Sequence, residues 1–90
     1  EQAIIYPTLG LTGEAGEVAN KVKKIIRDGS NKNDDNLVSE IKSEIGDCLW
    51  YIAVLASDFN IKLSDIASTN LEKLANRKEK GTIHGSGDKR

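Results

Sequence analysis

Two short acidic motifs carry the most chemistry in this chain. Glu14-Ala15-Gly16-Glu17 and Glu44-Ile45-Gly46-Asp47 each place two carboxylates three residues apart. On a helix that spacing puts both side chains on one face, about 5–6 Å apart. Like charges so placed oppose each other mildly, by roughly 0.2–0.5 kcal/mol per exposed pair. Both pairs adjoin apolar positions: Val18 follows the first, and Cys48 and Leu49 follow the second. Two antiparallel helices joined by a short loop would bring the pairs together, and four carboxylates would then face one small volume. Such a cluster is costly unless a cation fills it, and an all-oxygen donor set without His or Cys suits Mg²⁺ or Mn²⁺. Gly16 and Gly46 each precede the second acid. Glycine inside a helix costs ~1 kcal/mol relative to alanine, and Gly10 and Gly13 add to that cost. The missing side chains either leave room for metal and substrate or let helices approach closely, and both can hold. A solvated acidic face is the plainer alternative. The duplication, the matched glycines and the apolar setting weigh against it.

Opposite charge comes later in the chain. Asn70, Lys73 and Arg77 step by three and four residues, so they share a helix face. Arginine can grip a phosphate with two parallel N–H groups, and lysine neutralises it as a point charge. A carboxylate-held metal facing Lys and Arg is the arrangement that phosphoryl chemistry uses. The alternative is an exposed helix whose cations merely favour its C-terminal dipole.

The elements that must position these residues are helical. The chain has 90 residues, 38% hydrophobic and 30% charged, with a single proline. From Leu9 to Arg27 the apolar residues Leu11, Ala15, Val18, Ala19, Val22, Ile25 and Ile26 recur at helical steps. Pro7 is expected before or in the first turn of this helix, with Thr8 as its cap and Gly29 as its stop. Residues 29–36 are turn-rich and read as a loop. A second helix opens at Asp34 or Asp35, runs through Leu37, Ile41, Ile45, Leu49 and Ile52, and ends at Phe59-Asn60. From Leu49 on it is apolar nearly all round, which implies burial on several sides. A third helix is expected from Ser64 to Gly81. The expected organisation is one helical domain over residues 1–80 and a glycine-rich tail over 81–90. The predicted class is all-α, with antiparallel helices in a four-helix-type bundle completed by oligomerisation, because so small a chain builds only a marginal core.

Composition excludes several functions. Thirteen basic and fourteen acidic residues leave a net charge of −1, which argues against nucleic acid as a partner. No apolar run approaches the ~18–20 residues of a membrane span, so no membrane partner is expected. One cysteine, Cys48, excludes an intrachain disulfide and a Cys-rich zinc site, and a reducing cytoplasm is the expected compartment.

The run Gly10-Leu11-Thr12-Gly13-Glu14-Ala15-Gly16-Glu17-Val18, followed by Glu44-Ile45-Gly46-Asp47, resembles the MazG-type all-α nucleoside triphosphate pyrophosphohydrolases. Their signature is E-x-x-E and then, after a variable spacer, E-x-x-D. The resemblance covers residues 6 to 80, and the tail is similar to that of small phage and integron-type members. It implies hydrolysis of a (deoxy)nucleoside triphosphate to the monophosphate and pyrophosphate, in nucleotide-pool housecleaning. It implies Mg²⁺, with Mn²⁺ as a substitute, and a homodimer or homotetramer. Glu14, Glu17, Glu44 and Asp47 would be the metal-binding and catalytic acids, and Lys73 and Arg77 would meet the phosphates, with Asn70 beside them. Lys24 could reach a phosphate too, whereas Lys21 reads better as a solvated lysine. Members often carry a further N-terminal helix, and Glu1–Ile5 reads as its remnant.

Tyr51 follows Asp47 by one turn and could border a base, while Trp50 reads rather as a core or interface residue. His84 in the tail could close over a nucleotide, but a lone tail histidine is usually solvated. A phosphoribosyl-ATP pyrophosphohydrolase uses similar acids and is the nearest alternative, although the glycine pattern favours the MazG-type group. A non-catalytic helical interaction module would pair each acid with a base four residues on. Glu17 has Lys21 there, but Glu14 has Val18, Glu44 has Cys48 and Asp47 has Tyr51.

Overall fold

A computed structural model describes residues 2–29, 31 and 33–81 of the chain. The described residues are helical, with turns between the helices and no strand among them: α1 (Gln2–Val22), α2 (Lys24–Arg27), α3 (Asp35–Asp58) and α4 (Leu63–Lys80). The all-α class expected from the sequence is what the chain adopts. The chain divides into two compact units, Glu1–Phe59 with α1–α3 and Asn60–Arg90 with α4.

The local signals for helix ends mostly act as their chemistry dictates. Asp34 caps α3: its backbone is extended and its carboxylate accepts the Leu37 N–H at 3.0 Å. Gly29 and Gly81 follow helices with φ of +73° and +72°, a left-handed conformation that glycine adopts without steric cost. Asn60, after the α3 C-cap Phe59, has φ of +58°. Asn is one of the few side chains that tolerate that region. The last helix begins at Leu63 rather than Ser64, with no side-chain cap from Lys62.

The first helix departs from its expected bounds at both ends. It starts at Gln2 and runs through Pro7, so Ile4 and Ile5 belong to α1 and not to a separate element. An interior proline removes one backbone hydrogen bond and costs ~3 kcal/mol. Here the Pro7 ring is fully buried. Burying its three methylenes offsets that cost by roughly 2 kcal/mol, at ~0.8 kcal/mol each. Thr8 is therefore inside the helix and caps nothing; its hydroxyl donates to the Ile4 carbonyl at 2.6 Å. At the other end, Lys23 interrupts the helix, and the single turn Lys24–Arg27 follows as α2. The backbone stays hydrogen-bonded across this break, Lys23 N–H to Ala19 and Arg27 N–H to Lys23.

Within the first unit α1 packs against α3. The pairing is antiparallel, since Lys21 meets Glu40 at 3.9 Å while Gly10 lies against Tyr51. Little of this unit is fully enclosed. Leu37 and Ala56 are buried, and Ile52 to Leu55 are half-buried. Leu49 and Trp50 are 53% and 66% exposed, so the all-round burial expected of α3 from Leu49 onward is not reached within one chain. Trp50 is not a core residue of the single chain. Among the described residues, no helix is long and apolar enough to cross a membrane.

Candidate functional site

The α1–α3 seam is a ladder of contacts, each about one or two helical turns from the next. Lys21 and Lys24 reach Glu40 at one end, with Nζ to carboxylate distances of 3.9 and 3.3 Å. Further along, Glu14 faces Glu44 and Asp47. Beyond that rung, Gly10 takes the ring of Tyr51. The spacing of three and four residues on both helices keeps every rung on the facing stripes.

At the acidic rung, Glu14, Glu44 and Asp47 each bring a carboxylate oxygen to within 4.8 Å of the others. Glu14 and Glu44 are half-buried and Asp47 is exposed. The fourth acid, Glu17, lies one turn along α1, exposed and outside this group, although its charge still acts on Glu14. The Glu14 carboxyl is pushed above its ordinary range. Partial burial is the largest cause, followed by the charge of Asp47, a hydrogen bond with Glu44 that favours the neutral form, and the charges of Glu44 and Glu17.

The donor set fits a hard divalent cation. Octahedral Mg²⁺ with oxygens at ~2.0–2.1 Å has neighbouring ligands about 3 Å apart and opposite ones about 4 Å apart. Oxygens within 4.8 Å of one another reach that geometry by small side-chain rotations. A cation there would also offset the negative charges of Asp47, Glu44 and Glu17 that act on Glu14. Gly16 and Gly46 flank the acids, and a Cβ at either would meet nothing within 4 Å. The space beside them is open. Close helix packing occurs instead at Gly10.

Tyr51 stands one turn beyond Asp47 on α3. Its ring lies 6.3 Å from that of Tyr6, centroid to centroid, tilted by 55°. Its phenol pKa is raised, first by hydrogen bonding with Tyr6 and by the charge of Tyr6, then by burial, then by Glu14 and Asp47. The phenol is therefore within electrostatic reach of two of the three clustered acids.

The remaining sequence candidates sit elsewhere. Lys24 is on α2, where its ammonium donates to Glu40. Lys21 also turns to Glu40 across the seam, where the sequence had offered it Glu17. Asn70 and Lys73 belong to the second unit and line a cleft of about 370 Å³ with Ile61, Asp65, Ile66 and Thr69. Arg77, one turn further on α4, is buried. Cys48 is a half-buried free thiol. His84 and the rest of 82–90 lie outside the described residues. Sequence reasoning missed Tyr6, Gly10 and Glu40. The available signal for Gly10 was its place one turn before Glu14, which puts it on the same stripe.

Comparison with known proteins agrees with this geometry. The model of the MazG nucleotide pyrophosphohydrolase domain matches residues 5–82. The Gene 37 protein of Mycobacterium phage L5, a name that states no activity, is 46% identical over 89 residues, spanning 99% of this chain and 78% of the relative. No solved structure matches. With paired acid motifs converging across an antiparallel helix pair and the family model spanning most of its length, this chain belongs to the MazG nucleotide pyrophosphohydrolase family.

Proposed function

We propose that the protein hydrolyses (deoxy)nucleoside triphosphates to the monophosphate and pyrophosphate, with Mg²⁺ as its metal and Mn²⁺ as a substitute. The observation that carries this reading is the convergence of Glu14, Glu44 and Asp47 within 4.8 Å from two helices. These three would hold the ion, and Glu17, one turn away, would join them by a side-chain rotation or through water. A bound divalent ion supplies charge neutralisation for the phosphates and a lowered pKa for water.

The chain's own groups do the rest. Attack of water on the α-phosphorus breaks the bond to the β-phosphate oxygen and releases pyrophosphate. One of the four carboxylates takes the water's proton. Lys73 and Arg77 are assigned to the phosphates, Arg77 through its two-pronged guanidinium and Lys73 as a point charge. Asn70 donates its amide beside them, and Lys24 is a further phosphate contact once it leaves Glu40. Tyr51 borders the nucleoside end. The exposed Leu9, Ile45, Leu49 and Trp50 are covered by a second copy in a homodimer or homotetramer, which completes a helical bundle. Nucleotide-pool housecleaning in a cytoplasm is the corresponding role.

The deciding experiment incubates the protein with a panel of ribo- and deoxynucleoside triphosphates and Mg²⁺ and resolves the products. Monophosphate and pyrophosphate, abolished by EDTA and restored by Mg²⁺ or Mn²⁺, are expected. Diphosphate and orthophosphate, or no turnover of any substrate, would overturn the proposal.

A further inference from the structure

We infer that Gly10 and Tyr6 are positioning residues, which together set the Tyr51 phenol against the Glu14–Glu44–Asp47 cluster and so fix where a nucleotide's nucleoside end is met. The inference rests on the pyrophosphohydrolase reading above.

Gly10 lies one turn before Glu14 on α1, and Tyr51 lies one turn after Asp47 on α3. Because the helices run antiparallel, these two residues form the rung next to the acids. A Cβ placed at Gly10 would fall 2.7 Å from Tyr51 Cδ1 and closer still to Cε1 and Cζ. Those atoms belong to a rigid ring, which cannot yield by bending and must rotate away about its own side-chain bonds. Around Gly13, Gly16 and Gly46, by contrast, no atom lies within 4 Å of such a Cβ. Among the described glycines, Gly10 is the one whose bare backbone a side chain occupies.

Tyr6 supplies the second constraint. It sits one turn before Gly10, and its ring leans on that of Tyr51 at 6.3 Å. Backbone contact at Gly10 fixes the ring's place, and the neighbouring Tyr6 ring limits its rotation. The Tyr6 ring itself is 72% exposed, so the pair presents an aromatic surface beside the acids. A ring held in this way offers its position to a nucleotide without an ordering cost on binding. Loss of that restraint removes binding that is equal in the ground and transition states, so KM rises while kcat is kept.

The test uses the full chain and three readouts. Steady-state kinetics with Mg²⁺ and dATP, dCTP, dGTP or dTTP give KM and kcat. Mn²⁺ titration of the nucleotide-free protein gives metal affinity. NMR of ¹³C-labelled tyrosine follows the Tyr51 ring and its paramagnetic broadening by Mn²⁺. In Gly10→Ala, KM should rise about tenfold with kcat and Mn²⁺ affinity within about twofold of wild type. The broadening of Tyr51 should be lost. Tyr6→Leu, which removes the ring that leans on Tyr51, should raise KM about threefold. A folded Gly10→Ala protein with unchanged KM overturns the inference. Should that variant not fold, Tyr6→Leu decides, and unchanged KM with unmoved Tyr51 resonances overturns it. If wild type turns over none of these four nor any ribonucleoside triphosphate, the pyrophosphohydrolase reading fails by itself. Tyr51 then still decides the positioning: broadening by Mn²⁺ in wild type that Tyr6→Leu weakens supports it, and broadening that is absent or unaltered overturns it.

Discussion

Replacing Asp47 by Asn should make the protein more stable without metal and less responsive to metal. Asn keeps the size of Asp and removes its charge. Without a divalent ion, Asp47 and Glu44 hold two negative charges within 4.8 Å. Coulomb's law at that separation gives ~0.9 kcal/mol in water and ~3.5 kcal/mol at an effective dielectric constant of 20. Asp47 is exposed and salt screens it, so the lower figure governs, and ~0.5–1 kcal/mol of relief is expected. For a domain of this size that is a rise in Tm of roughly 2–8 °C. With Mg²⁺ present the order should reverse, because the variant lacks one of the three carboxylates proposed to hold the ion. A site filled to a hundred times its dissociation constant stabilises wild type by ~2.7 kcal/mol. A variant binding a hundredfold more weakly would gain only ~0.4 kcal/mol at the same concentration. Thermal unfolding in EDTA and in a Mg²⁺ series would show the crossing. Equal Tm in EDTA together with an equal Mg²⁺-induced shift would refute both the repulsion and the metal assignment.

Four further outcomes can be checked. Glu14 has its carboxyl raised above 4.5, so the folded state holds that proton more tightly than the unfolded chain does. Its contribution to metal-free stability is full below that value and is lost as pH rises through its folded titration; urea midpoints of wild type minus Glu14→Gln should fall over that window, and saturating Mg²⁺ should abolish the fall. Asp34→Ala removes the cap that accepts the Leu37 N–H and should cost ~1 kcal/mol in urea unfolding with little change in kcat. Arg77→Lys keeps the charge and loses the guanidinium fork; kcat/KM should fall about tenfold, or ~1.4 kcal/mol, while Mn²⁺ binding to the nucleotide-free protein stays the same. Sedimentation at micromolar concentration should give a dimer or tetramer that Leu49→Glu weakens, and a stable folded wild-type monomer would count against the covered α3 face.

Much of the secondary structure is legible in the amino-acid order, because its causes are local. The three long helices follow from apolar residues recurring at helical steps, and the start of α3 follows from a carboxylate at Asp34 that can accept a backbone N–H. The helix stops at Gly29 and Gly81 follow from the freedom of glycine at positive φ. Each pair of acids shares a face because of the helical repeat alone. Pro7 shows the limit: local chemistry places a proline at a helix start, and only the burial of its ring offsets its cost inside α1.

The site depends on what local rules leave open. A spacing of three residues says that Glu14 and Glu17 share a face, but it does not say which one meets the other helix. That choice depends on the sliding and rotation of α1 against α3, which bring Glu14, Glu44 and Asp47 together and leave Glu17 exposed. The same register sends Lys21 to Glu40 and sets Gly10 under the Tyr51 ring. Residue order determined the helices and the stock of acids. Register is a property of two surfaces in contact, summed over many small packing terms spread along both helices, so only the tertiary structure decided which acids could share one ion.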